Sequence, residues 1–374
     1  MRPTVFEFEI LAEDSATGAR AGRVRTPHGD FETPVFMPVG TKGAVRTMAP
    51  DDLEAVGAEI VLGNTYHLFV RPGPELVKEA GGLHNFMSWN RPILTDSGGY
   101  QVFSLESEVS DEGVHFKAPI DGTKHLLTPE KAIGIQQDLG ADIIMVLDEC
   151  PPFEAGRQAV EDAAARSVRW AVRCREAQTR PDQALFGIIQ GGVHLDIRRA
   201  SLEATLDLDF PGIAIGGLAV GEPKEEMIRV LRELRARLPE PVPRYLMGVG
   251  DPEALVTSVG LGIDMFDSAF PTRIARNGSV LTSEGTMNLR NSCYRKDFGP
   301  LDSKCSCYAC TRVSRAYLRH LYTGGEILAH HMLTWHNLKF VTGLVKGARD
   351  AIVGDRFSDF VAGLKEPETS RDSK

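Results

Sequence analysis

The sequence predicts an α/β fold: a (β/α)8 TIM barrel with a metal-binding subdomain inserted near its C-terminus. Three observations predict it. Short apolar runs recur eight times from Thr33 onward, each ending in a polar or glycine-rich turn. Helical patterns usually follow them. A tight cysteine cluster then breaks the rhythm just after the eighth run. Strands alternating with helices build parallel sheets, and eight such units close into a barrel. The competing arrangement is an open doubly wound sheet.

Taken in order, residues 1–33 alternate, as in Val5-Phe6-Glu7-Phe8-Glu9-Ile10, with a turn at His28-Gly29-Asp30, and read as a small antiparallel β cap. The eight runs are Pro34–Pro38, Glu59–Leu62, Ile93–Leu94, Ile143–Leu147, Ala184–Ile189, Gly212–Ile215, Tyr245–Met247 and Ile263–Phe266. Thr128-Pro129-Glu130 and Asp251-Pro252-Glu253 each place a capping side chain before a proline at the first helical position. Residues 157–178, 194–207 and 224–237 are amphipathic helices. Residues 112–128 read as a hairpin, Gly113–Ile120 and Thr123–Leu127 around Asp121-Gly122. A helix-rich tail covers 313–364, and the last ten residues are polar enough to be disordered.

Composition narrows the class. A chain of 374 residues, 42% hydrophobic and 25% charged, supports one large domain or two smaller ones. Residues 1–374 read best as one barrel domain, with the metal-binding subdomain at 273–345. No run of eighteen apolar residues spans a membrane. Met1-Arg2-Pro3-Thr4 leads into alternating residues and not into an apolar signal core, so the expected compartment is the cytoplasm. The net charge of −9 argues, taken whole, against a polyanionic partner. The charge is uneven, however. Residues 272–350 hold twelve basic and five acidic groups, a block of +7 that leaves −16 for the remainder. That asymmetry directs the search for an anionic ligand to the C-terminal third.

The metal motif lies in the same block. Cys305, Cys307 and Cys310 fall within six residues, where a metal suits them better than disulfides do. Three thiolates leave a tetrahedral zinc ion one ligand short, and His320, His330, His331 and His336 follow. Spacing alone does not choose among them. A closed Cys3His site is structural rather than catalytic.

The strand ends carry the chemistry. In a barrel the C-terminal ends of the strands build the site. Here they read Gly63-Asn64-Thr65-Tyr66-His67, Thr95-Asp96-Ser97-Gly98-Gly99-Tyr100-Gln101, Asp148-Glu149-Cys150, Gln190-Gly191-Gly192, Gly216-Gly217, Gly248-Val249-Gly250 and Asp267-Ser268. Asp96, Asp148 and Asp267 therefore converge. Crowded carboxylates raise one another's pKa, which readies one as an acid while another stays ionised, the division of labour of glycosidic-bond chemistry. The glycines let a flat ligand lie against bare backbone. Asp148 and Gln190 then read its hydrogen-bonding edge. Asp264 and Asp267 compete for the nucleophile role; three apart on a strand, they face opposite ways.

Several of these segments resemble signatures of the tRNA-guanine transglycosylases. They are Leu62-Gly63-Asn64-Thr65-Tyr66-His67-Leu68, Ile93 through Phe103, Tyr245-Leu246-Met247-Gly248-Val249-Gly250, and Gly262 through Arg273. The likeness runs from about residue 30 to about residue 360. It implies an irregular (β/α)8 barrel, a structural Zn2+ held by Cys305, Cys307, Cys310 and His336, and exchange of a guanine in tRNA for a deazaguanine. By resemblance Asp267 is the nucleophile on the ribose anomeric carbon and Asp96 the general acid/base. Asp148, Gln190, Gly217 and Leu218 resemble the base-reading groups, with Ser97 nearby, and Tyr100 and Met247 the walls of the pocket.

Val220 and Cys150 resemble the bacterial type, which uses 7-aminomethyl-7-deazaguanine at the anticodon wobble position on the way to queuosine. Glu222 is a candidate partner for its aminomethyl cation. Arg273 and Arg276 are candidate phosphate clamps. Ser268 stands where many bacterial members have Cys. Asp251 stands where a basic residue can occur, which weakens one expected phosphate contact. The resemblance also implies a homodimer. Two other classes compete, a two-carboxylate glycosidase and a non-catalytic tRNA-binding subunit. The first leaves the zinc motif unexplained, and the second lacks the carboxylates that Asp96 and Asp267 supply.

Overall fold

The computed structural model describes residues 6–364 except Ser104 and Glu106; the polar end 365–374, expected to be disordered, and Met1–Val5 lie outside them. Three antiparallel strands come first: β1 (Glu7–Glu13), β2 (Arg20–Thr26) and β3 (Gly29–Thr33). They form the expected cap. The barrel follows with β4 (Val35–Gly40), β5 (Val61–Gly63) and β6 (Ile93–Thr95). The chain then leaves it for a side sheet of β7 (Ser107–Val109), β8 (Val114–Lys117) and β9 (Lys124–Leu127). The barrel resumes with β10 (Ile143–Met145), β11 (Ala184–Ile189), β12 (Ile213–Ile215), β13 (Arg244–Leu246) and β14 (Met265–Ser268).

These eight parallel strands close on themselves, β14 pairing with β4 in the register Asp267 to Met37 and Ser268 to Pro38. Closure decides against the open doubly wound sheet. Most barrel strands are buried along their whole length, as the unbroken apolar runs require of a sheet covered on both faces. The helices Arg157–Ala177, Leu195–Leu206 and Lys224–Arg235 lie where their periodicity placed them. Thr128 and Asp251 do cap helices, each accepting from the backbone N–H three residues on, at 3.2 and 3.0 Å.

Two elements differ from the sequence reading. The expected hairpin is the outer part of a three-stranded sheet, because Ser107–Val109 adds a strand along β8. The eighth strand starts at Met265 and not Ile263, so Asp264 precedes it and Asp267 lies inside it.

A second hairpin, β15 (Ser279–Thr282) and β16 (Gly285–Asn288), follows the barrel and joins the cysteine segment and the long helix Ile327–Val353 around a separate small core. Asn337 of that helix ties the pieces together. It accepts from Leu281 N at 3.0 Å and donates to the carbonyls of Pro271 and Ser279, both at 3.1 Å.

The barrel floor is closed by polar contacts between carboxylates and basic side chains. Asp264 meets Arg20 through Nε at 2.9 Å and Nη2 at 2.5 Å, and accepts from Arg244 N at 2.7 Å. Asp142 accepts from the rings of His28 at 2.7 Å and His84 at 3.1 Å, which stack at 3.5 Å between centroids. Both clusters fasten the cap to the barrel.

Candidate active site

The opposite end gathers the polar strand ends. Asp96 follows β6 and is buried. Its Oδ2 accepts from Asn64 Nδ2 at 2.5 Å and Gln101 Nε2 at 3.1 Å, and its Oδ1 from Thr65 N at 2.7 Å. Thr65 Oγ1 also donates to the Asp96 carbonyl at 2.5 Å. Despite those donors, burial, and after it the charge of the neighbouring Asp267, push the carboxyl up to about 7.

Asp267 is held by β13 and the turn after it. Tyr245 Oη donates to its Oδ1 at 2.6 Å and Gly248 N to the same oxygen at 2.8 Å. Burial raises this carboxyl too, while the two donors draw it back. Both donors meet one oxygen, so the other is free of them to react. No lysine, arginine or histidine forms an ion pair with Asp96, Asp148 or Asp267 among the described residues.

Asp148 follows β10. Ser97 Oγ donates to its Oδ1 at 3.0 Å and Gln190 Nε2 to its Oδ2 at 2.6 Å. Burial raises its pKa against those two bonds. Gln190 Oε1 is buried with no hydrogen-bond partner, an acceptor left for a ligand. Gly217 explains its own residue type: its φ is +63°, and a Cβ there would come within 2.2 Å of Gln190 Oε1. Leu218 is buried beside it, and Tyr100 is largely exposed at the rim. Asp264 is at the far end with Arg20, as expected of a structural residue.

Glu222 accepts from the backbone N–H groups of Ala219 and, at 3.0 Å, Val220. It braces the loop that carries Ala219 and Val220. Asp251 is spent as a helix cap and bonds Lys224 at 2.9 Å.

A family model described as queuine tRNA-ribosyltransferase matches residues 14–368. The chain belongs to that family. Relatives bearing this same name are similar over nearly all of both chains. The one from Halothermothrix orenii is 55% identical over 355 residues, 94% of this chain and 95% of its own. That from Acetivibrio thermocellus is 53% identical over 360 residues, 96% of each chain, and that from Lysinibacillus sphaericus 53% over 363 residues, 96% and 95%. Membership makes the chain a pentosyl-transferring tRNA-guanine transglycosylase and sets aside the glycosidase and the non-catalytic subunit.

Of the histidines left open by spacing, His336 joins Cys305, Cys307 and Cys310 in one group whose ligand atoms lie within 4.8 Å of one another. His336 Nδ1 is 3.4 Å from Cys307 Sγ and 3.2 Å from Cys310 Sγ. Its other nitrogen, Nε2, bonds the Leu281 carbonyl at 2.7 Å, which fixes the ring and leaves Nδ1 facing the thiols. The N–H groups of Cys307 and Cys310 point at the sulfurs of Cys305 and Cys307, both at 3.4 Å. Sulfurs that accept hydrogen bonds and converge on an imidazole fit a tetrahedral cation. His320, His330 and His331 are not in this group; His331 bonds the Thr47 carbonyl instead, at 2.7 Å.

The helix Phe270–Arg276 starts directly after β14 and carries Arg273, exposed, and Arg276. Arg46 and Arg273 lower the pKa of Arg276 after burial does, so the three guanidinium groups share one neighbourhood. None of the three has a carboxylate partner among the described residues. Arg46 went unread in the sequence, because it sits far from the basic block on the turn after β4. Conversely, part of that block is committed elsewhere. Arg349 is buried against Glu32 at 2.8 Å, and Arg315 pairs with Asp297 at 3.0 Å. Tyr245 was read only as part of a motif, and its hold on Asp267 depends on where β13 places it.

Proposed function

We propose that the chain exchanges guanine at the tRNA wobble position for 7-aminomethyl-7-deazaguanine, a step toward queuosine, with Asp267 as nucleophile and Asp96 as general acid/base. The observation that carries this assignment is the pair itself. Two carboxylates without cationic partners repel each other, so Asp96 keeps a proton while Asp267 is ionised. The Asp267 oxygen not held by Tyr245 and Gly248 attacks the ribose anomeric carbon. The glycosidic bond breaks, and the leaving guanine takes the Asp96 proton. An ester now joins Asp267 to the ribose. The incoming base gives its ring N–H proton to Asp96 and attacks the same carbon, releasing Asp267. Atoms and protons balance, the backbone is never cut, and the single pocket imposes ping-pong order.

In this reading Asp148, Ser97, Gln190, Gly217 and Leu218 read the edge of the base, and Tyr100 and Met247 sandwich its ring. The vacant Gln190 Oε1 supports it. Glu222, whose carboxylate accepts from the N–H groups of Ala219 and Val220, braces the loop that meets the aminomethyl group. Arg273 and Arg276, with Arg46, clamp phosphates. Cys305, Cys307, Cys310 and His336 hold one structural Zn2+, which fastens the 273–345 subdomain beside the barrel mouth. The working form is a cytoplasmic homodimer in which one protomer catalyses and its partner helps hold the tRNA. No helix among the described residues is long and apolar enough to cross a membrane.

Incubation with radiolabelled guanine and a tRNA carrying guanine at the wobble position tests the activity: label enters the tRNA, and its exclusion by folded, metal-replete protein contradicts the proposal. Elemental analysis tests the metal. One zinc per chain is expected, lost in Cys307→Ala, and an unchanged content rejects the site.

A further inference from the structure

Arg198, on the helix Leu195–Leu206, is 0% exposed, yet no carboxylate pairs with it among the described residues. Each of its three guanidinium nitrogens donates to a main-chain carbonyl. Nε meets Gly192 O at 2.8 Å, Nη1 meets Ile189 O at 3.0 Å and Nη2 meets Gly217 O at 3.0 Å. Burying a cation without a counter-ion is costly, and an apolar side chain of similar size commonly serves stability as well or better. The placement calls for another explanation.

The three carbonyls supply one. Ile189 ends β11, Gly192 lies in the turn that follows Gln190, and Gly217 lies two residues past β12. One planar guanidinium thus ties two adjacent strand ends together, on either side of Gln190. It also orients a peptide. A trans peptide points its C=O and its N–H in opposite directions. With the Gly217 carbonyl held by Arg198, the N–H of Leu218 is turned away from the helix. Glu222 occupies the next two N–H groups, those of Ala219 and Val220. The loop is therefore gripped from both sides, and the Gly217–Leu218 peptide between the grips has one orientation. The left-handed φ values of Gly217, +63°, and Ala219, +59°, belong to this held shape.

We propose that Arg198 is a positioning residue of the base pocket: it locks the Gly217–Leu218 peptide and the Gln190 turn in the arrangement that receives a flat purine-like base. Arg198 touches neither base nor ribose; it acts through the carbonyls it holds. The inference rests on the assignment of Gln190, Gly217 and Leu218 to the base.

Steady-state exchange kinetics with guanine and tRNA varied separately test it, alongside thermal unfolding. Arg198→Met keeps the volume and removes every donor. Its KM for guanine is expected to rise about tenfold or more, the equivalent of one unmade buried hydrogen bond. Its KM for tRNA should stay within about twofold, because the phosphate contacts lie elsewhere. Arg198→Lys, which keeps the charge and part of the bonding, should recover much of the loss. A merely structural role lowers the melting temperature and shifts both KM values together or neither, and either pattern in a folded variant overturns the proposal. If Arg198→Met does not fold, Arg198→Gln takes its place, and an unchanged guanine KM in folded Arg198→Gln overturns the proposal equally. Asp148→Asn and Gln190→Ala serve as controls. If they leave the guanine KM unchanged, the base-site assignment itself fails; if they raise it while Arg198→Met does not, only the role of Arg198 fails.

Discussion

The barrel uses aspartate at both ends, for opposite purposes. At the floor, Asp264 is met by both Arg20 nitrogens and by Arg244 N. Asp142, despite the burial that raises a carboxyl, is held below the usual range by the His84 and His28 rings and the Ile93 N–H. At the mouth, Asp96 and Asp148 are buried and Asp267 is half-buried, and all three receive only neutral donors: amides, hydroxyls and backbone N–H groups. Neutral donors orient a carboxylate without cancelling its charge. The floor carboxylates are tied to basic side chains and fasten strands, whereas those at the mouth lack such partners, which suits them to the proton-transfer and nucleophile roles proposed for Asp96 and Asp267.

Exchanging the two kinds of aspartate for asparagine breaks that contrast most severely at Asp267, the proposed nucleophile. Asp267→Asn should lower kcat by about four orders of magnitude or more, the scale of losing a covalent nucleophile, and leave thermal stability nearly unchanged. Asp264→Asn should do the reverse. It strands the buried Arg20 charge, so urea unfolding should register a loss of roughly 3–5 kcal/mol while kcat in the folded fraction changes little. An Asp264→Asn protein that is stable but inactive would remove the distinction between floor and mouth.

Titration sharpens it. The folded state holds the Asp96 carboxyl at about 7 against an ordinary 3.8, so the native protein binds this proton more tightly than the unfolded chain does. Stability should therefore fall as pH rises from about 4 to about 7, by at most roughly 4 kcal/mol from this group, and Asp96→Asn should flatten that slope. Urea midpoints taken across the window check the sign. With Asp96 as the proposed general acid, guanine release should fall above about pH 7. The smallest effect belongs to the rim: Arg273→Ala or Arg276→Ala should raise the KM for tRNA several-fold, leave kcat alone, and lessen the salt dependence of binding by about one phosphate contact each.

The eight-strand alternation, the helices and the cysteine motif were legible in the sequence because they are local patterns of period and spacing. Asp96, Asp148 and Gln190 were legible as a group because each follows an apolar run, and the barrel brings all run ends together. What escaped was pairing across distant strands. Tyr245 reads as an ordinary strand residue until the β13–β14 register sets its hydroxyl on Asp267. Arg198 reads as the polar face of an amphipathic helix until two strand ends close over it. Arg46 joins Arg276 only once the barrel closes and β4 lies beside β14. The +7 block includes Arg273 and Arg276, but the buried Arg349 shows that residues counted in it are partly structural.

The most direct measurement is capture of the ester. Protein and tRNA quenched in denaturant during turnover, in the absence of an accepting base, should give a band of protein plus RNA that persists on a denaturing gel, and Asp267→Asn should abolish it while Asp264→Asn retains it. An adduct that survives Asp267→Asn, or that is lost only in folded Asp264→Asn, would contradict the assignment of the reactive carboxylate to the barrel mouth.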